Sequence, residues 1–146
     1  MIRKLIPIIL IALALGACGI KRDNPLDPHF NDSIISPPED VQGLNSDVRV
    51  AGNFARYIDL TWNSNTTSYT DGYYVYRSLG YFSAYAIVDT VLHVANEPLQ
   101  RYIHSSDNDP TVRPGDFWYR VSAYKEYPEG RLEGRLCPAH FVRIPG

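Results

Sequence analysis

The stretch that most constrains this chain is Asp116-Phe-Trp-Tyr-Arg-Val-Ser-Ala-Tyr124. Its residues alternate: Phe117, Tyr119, Val121 and Ala123 fall on one side, Trp118, Arg120, Ser122 and Tyr124 on the other. Successive side chains of a β-strand point to opposite faces, so the pattern predicts a strand with one apolar and one mixed face. An apolar strand face has to be covered, and most of the remaining chain reads as further strands able to cover it.

Pro37 to Leu44 suits a first edge strand, with Val41 and Leu44 turned to the core. In Ala55 to Trp62, Ile58, Leu60 and Trp62 share one face and Tyr57, Asp59 and Thr61 the other. Asn63 to Ser68 is a polar loop, and Asp71-Gly72 turns the chain into Tyr73-Tyr-Val-Tyr-Arg77. There Tyr73 and Val75 face one way, Tyr74 and Tyr76 the other. Short strands are expected at Tyr85 to Val91 and Tyr102 to His104, joined by a connection over Val94 to Arg101. A loop over Glu129 to Gly134 precedes a final strand, Leu136 to Ile144. Short alternating strands with turn signals every 8–12 residues predict an all-β sandwich. The 11 Tyr and 11 Pro among 146 residues agree with a β protein rich in loops.

The N-terminus belongs to a different object. Arg3-Lys4 precedes an apolar run from Leu5 to Ala17, too short to span a bilayer as a helix and suited to a signal-peptide core. It ends in Leu15-Gly16-Ala17-Cys18, which resembles a bacterial lipobox. The resemblance implies cleavage after Ala17 and diacylglyceryl attachment to Cys18, a covalent lipid where no other cofactor is expected. Two or more acyl chains give stable anchoring at roughly 0.8 kcal/mol per buried CH₂. Gly19 follows, and the lack of Asp at that position resembles lipoproteins sorted to the outer membrane. Residues 18–36 then form a tether punctuated by Pro, Asn and Asp, with no apolar period. Its acids Asp23, Asp27 and Asp32 lack the spacing of a calcium loop.

Removing residues 1–17 takes two of the 14 basic residues and none of the 16 acidic ones, leaving a net charge of −4. That gives no electrostatic footprint for nucleic acid. With Cys18 lipidated, Cys137 stands alone and no intramolecular disulfide is available. The fold has to be held by its core.

The set Pro38…Val41, Ile58-x-Leu60-x-Trp62, Gly72-Tyr73-x-Val75 and Pro114-Gly115…Tyr119-x-Val121-x-Ala123 resembles a fibronectin type III domain over residues 37–146. The resemblance implies a seven-stranded immunoglobulin-like sandwich with Trp62 and Tyr119 in its core. An extended region over Asn45 to Asn53 departs from the family pattern, as does the long connection before Asp116.

Catalytic chemistry finds little support. His29, His93, His104 and His140 are isolated, no His-Glu-x-x-His or Gly-x-Ser-x-Gly is present, and no catalytic or metal-binding residue is assigned. Asp107, Asp109, Glu126 and Glu129 read as solvated loop carboxylates. If Tyr119 and Val121 point inward, Trp118, Arg120 and Tyr124 point outward, and so do Tyr74 and Tyr76 on the neighbouring strand. These five residues form the candidate binding surface, since Tyr, Trp and Arg dominate binding hot spots. Cross-strand pairing that merely stabilises the sheet is the competing explanation. The expected function is a membrane-anchored cell-envelope lipoprotein whose domain binds or scaffolds a protein without catalysis. The alternative is a carbohydrate-binding module using the same aromatic patch.

Overall fold

Asp116–Tyr124 is the middle of a long strand, Gly115–Tyr127, around which a five-stranded sheet is built. The structure, a computed structural model, describes residues 35–52 and 54–146. The signal segment, Cys18 and the tether up to residue 34 lie outside the described residues. In chain order the strands are β1 (Asn45–Val50), β2 (Arg56–Asn63), β3 (Gly72–Ser78), β4 (Ala86–Leu92), β5 (Leu99–Ser105), β6 (Gly115–Tyr127), β7 (Gly130–Glu133) and β8 (His140–Ile144). All pairings are antiparallel. One sheet runs β1-β2-β5 and the other β4-β3-β6, with β7 and β8 sharing the far edge of β6.

The alternating residues meet between the sheets, making the fold a β-sandwich. Ile58, Leu60 and Trp62 of β2 are fully buried against Tyr73 and Val75 of β3 and Tyr119, Val121 and Ala123 of β6. Phe117, Val142 and Ile144 close one end and Val41 packs against the same cluster. The rings of Trp62 and Tyr73 meet edge to face at 5.2 Å. The compact unit spans Ser36–Gly146. Tyr127 ties down its start by accepting from the Ser36 N–H and donating to the Ser36 carbonyl.

Three elements differ from the sequence expectation. The first strand is not Pro37 to Leu44, where only an irregular segment delivers Val41 to the core; it is Asn45–Val50, paired with β2 from Asn45↔Thr61 to Val50↔Arg56. Its residues are exposed or half-buried, so it carries no apolar signal. β5 starts at Leu99, earlier than expected, because inward-facing Gln100 is polar but fully bonded. Its amide spans both the N–H and the carbonyl of Val94 and reaches Ser64 Oγ. Finally, the expected loop over Glu129 to Gly134 holds a strand, β7, and the last strand starts only at His140, so eight strands stand among the described residues instead of seven. Between β7 and β8 the Gly134 and Cys137 N–H groups still bond the Ala123 and Val121 carbonyls. Pro138, with no N–H to give, interrupts the ladder.

Candidate functional site

The parity of β6 holds: Trp118, Arg120, Ser122 and Tyr124 lie on the face away from the core, beside Tyr74 and Tyr76 of β3. The five residues singled out from sequence share this face but divide into two halves with different surroundings.

The half near the C-terminal end of β6 is covered by the chain itself. Tyr124 is only 3% exposed. Its ring lies 4.9 Å from that of Tyr74, and the Arg131 guanidinium of β7 sits 4.2 Å above it. Arg131 also donates to the Glu126 carboxylate and the Tyr74 hydroxyl. Beside it, the Tyr76 and Ser122 hydroxyls both donate to Glu133 Oε1, each at 2.5 Å. Burial, reinforced by that carboxylate, pushes the Tyr76 hydroxyl up to about 12. Gly72 makes this packing possible: a Cβ there would meet the Tyr124 hydroxyl at 2.5 Å and the Val91 carbonyl at 2.6 Å. Arg131, Glu126, Tyr74, Tyr76, Ser122 and Glu133 bond one another here, so this half stabilises the sheet and offers little to a ligand.

The half near the start of β6 is open. Phe82, Tyr81, Trp118 and Phe141 form a continuous row, with centroids 4.8, 5.0 and 5.1 Å apart in that order. The row begins in the β3–β4 turn, crosses β6 and ends on β8, where register places Phe141 opposite Trp118. Phe82 is 96% exposed, Tyr81 45% and Phe141 42%. Arg143 caps the far end over Phe141 and forks onto Asp116 through bonds of 2.7 and 2.8 Å. Arg120 lies 4.8 Å over Tyr85, alongside the row. Successive rings are turned by 82°, 78° and 55°, so they present edges and corners rather than a flat strip.

Tyr81, Phe82 and Phe141 were not among the residues expected here. Tyr81 and Phe82 stand in a turn, where no period marks a face, and Phe141 depends on a β8 register that long-range pairing alone decides. The signal that could have found the first two is a Tyr-Phe dipeptide just after a Leu-Gly turn, where apolar side chains have no core to enter.

A second constellation lies inside the same pole. His104 is 2% exposed and bonded at both nitrogens, Nδ1 to the Tyr119 hydroxyl and Nε2 to Asp109 Oδ2, each at 2.9 Å. Asp109 is therefore not the solvated carboxylate expected from sequence. It also accepts from the Thr111 N–H and hydroxyl and from Arg77, and Thr111 above all holds its carboxyl well below the usual range. At the other end of the core, His93 bonds the Tyr73 and Thr67 hydroxyls, both at 2.9 Å. Tyr119 and Tyr73 are both fully buried, so these histidine–tyrosine pairs brace loops against the core and present no proton to a substrate. Cys137 is buried, its thiol raised by that burial, with Sγ accepting the Val121 N–H.

No family model matches the chain, and no curated protein is significantly similar to it.

Proposed function

We propose that the protein is a lipid-anchored envelope lipoprotein whose fibronectin type III-like domain binds a protein partner, without catalysis, through the Phe82–Tyr81–Trp118–Phe141 row. The exposed row carries this reading. An apolar side chain exposed as fully as Phe82, continuous with three further rings and flanked by arginines, is the composition of a hot spot rather than of ordinary surface. Of the five residues first considered, Trp118 and Arg120 belong to this surface, while Tyr74, Tyr76 and Tyr124 support the sheet behind it. For the domain type, the supporting observations are the strand order, with three strands facing β4-β3-β6 and its broken edge strand, and the full burial of both Trp62 and Tyr119 in one core cluster. The anchor rests on Leu15-Gly16-Ala17-Cys18, and the assignment to the outer membrane on Gly19 after the cysteine.

The ring angles favour a protein over a glycan. A sugar ring stacks flat on an aromatic face, and a glycan running along several rings needs those faces turned the same way. Rings set nearly edge to face suit a partner with apolar knobs and pockets. Phe82 alone offers an open face, which keeps a single terminal sugar as the second reading.

A photo-crosslinking amino acid at position 82 should yield one discrete protein adduct in intact cells, and the same probe at Arg101, on the opposite sheet, should not. Identical adducts from both positions, or none at 82, overturn the reading. Retention on immobilised glycans that disappears in Trp118→Ala would establish the sugar alternative. For the anchor, labelling by a radioactive fatty acid should vanish in Cys18→Ser.

A further inference from the structure

At the pole where β6 begins, a hollow of ≈ 290 Å³ opens between the end of β3 and the loop that leads into β6. Phe117, Pro110 and Leu79 supply its apolar lining, and Arg77, Thr111 and Arg113 its polar lining. Nothing in the aromatic row enters it; Leu79 stands between the two, at the root of the turn that carries Tyr81 and Phe82.

The two arginines differ in a way that matters. Arg77 is held in place: its guanidinium lies 5.4 Å over the Phe117 ring and donates to Thr111 Oγ1 at 2.6 Å and to Asp109 at 3.4 Å. Asp109 is already engaged by Thr111 and His104. Arg113 is exposed and, among the described residues, has neither an ion pair nor a hydrogen bond. The lining therefore holds two cations and no carboxylate, with Asp109 bonded to Arg77 from outside it. One of those cations is pre-positioned and the other is uncommitted.

We infer that this hollow binds a carboxylate carried on a short apolar body. Arg113 and the unused N–H groups of Arg77 take the carboxylate, and Phe117, Pro110 and Leu79 take the apolar part. A guanidinium fork matches a carboxylate through two parallel N–H···O bonds, which a compact ammonium cannot do. Arg77 already shares its charge with Asp109, so the hollow suits a monoanion better than a phosphate dianion. The volume lies at the lower limit for ligand sites, enough for a body the size of one amino acid. That chemistry is offered by the apolar C-terminal residue of another chain and by a free short-chain acid.

Nitrogen-15 NMR of the purified protein, titrated separately with N-acetyl-leucine, N-acetyl-leucine amide and hexanoate, tests this. N-acetyl-leucine should shift the Thr111, Arg113 and Phe117 amides with a Kd of about 1 mM, and its amide should not. Arg113→Gln should weaken binding at least about tenfold while leaving the remaining spectrum in place. Arg101→Gln, whose guanidinium is committed to Asp59 on the opposite sheet, should bind as the parent does. Hexanoate binding as tightly as N-acetyl-leucine supports the site and assigns it to free acids; weaker binding assigns it to chain termini. Equal binding of acid and amide, unchanged binding in Arg113→Gln, or no shift with either acid overturns the inference. The site is independent of the aromatic row: a failed titration leaves crosslinking at position 82 standing, and a failed crosslink leaves the titration standing.

Discussion

Removing one oxygen from the core tests how the two sheets are locked. Tyr119 donates its hydroxyl proton to His104 Nδ1, and Asp109, kept ionised by Thr111, takes the proton on Nε2. Only one tautomer satisfies all three groups, the one with hydrogen on Nε2. Tyr119→Phe keeps the ring and opens almost no cavity, so the volume-dependent cost of a truncated core residue is small. What remains is an acceptor nitrogen on a ring that is 2% exposed, where bulk solvent has little access to replace the lost donor. Leaving such a group unsatisfied costs about 1–3 kcal/mol, set against a typical total stability of 5–15 kcal/mol. Moving the proton to Nδ1 does not help, because it would turn a bare nitrogen toward a carboxylate. Urea unfolding followed by Trp fluorescence, with the denaturant slope checked for constancy, measures the difference. Tyr76→Phe is the control: its partner Glu133 is exposed and keeps the Ser122 hydroxyl, so the loss should stay under about 1 kcal/mol. A Tyr119→Phe cost below about 0.5 kcal/mol, or no greater than that of the control, would refute the buried-lock reasoning.

Further outcomes follow from the same structure. Trp62→Ala, at a fully buried position against Tyr73, should cost about 3–5 kcal/mol in the same melt; under about 1 kcal/mol would place Trp62 outside the cooperative core. Gly72→Ala should destabilise by about 1–3 kcal/mol, because the new methyl meets the Val91 backbone as well as the Tyr124 ring. A crystal structure or near-ultraviolet spectrum showing Tyr124 undisturbed would contradict it. Burial pushes His93, His104 and His140 below the usual 6.5, so each folded ring prefers the neutral form and the unfolded chain binds the proton first. Stability should therefore be complete above about pH 6.5 and fall as the pH drops below it, before the carboxylates begin to protonate. Melts that are flat between about pH 7 and pH 5 would show these rings to be unlinked to folding.

How much of this was legible depended on whether a residue's role is decided locally. Phe117, Tyr119, Val121 and Ala123 alternate without interruption, and so do Ile58, Leu60 and Trp62. The period-2 pattern is a direct consequence of strand geometry, so these strands and their inward faces could be read at once. β1 could not, because its outward Asp47 and Arg49 dominate its composition and its pairing to β2 is a long-range choice. Gln100 hid the first half of β5, since satisfaction of a buried amide by Val94 and Ser64 is invisible before the fold exists. The His104–Asp109 contact spans five residues of a loop whose shape no pattern announces. Asp109 therefore looked solvated.

The outward face shows the same division and explains why binding would sit where it does. Tyr74, Tyr76 and Tyr124 occupy positions that strand parity alone makes equivalent to Trp118, so sequence joins all four in one patch. What separates them is β7, a four-residue strand after a tight turn at Pro128 and Glu129, which brings Arg131 over Tyr124 and Glu133 to Tyr76 and Ser122. Once those charges are engaged by tyrosines, a partner would have to break a satisfied network before gaining any contact. At the other end of β6 the edge strand is β8, whose Phe141 extends the aromatic surface instead of capping it. The turn after β3 then adds half-exposed Tyr81 together with Phe82, and leaves nearly all of the Phe82 surface to be gained by association. The interruption at Pro138 thus does more than shorten a strand. It lets one edge of β6 close half of the face with charge and leave the other half apolar, and a shift of one residue in β6 would erase both halves together.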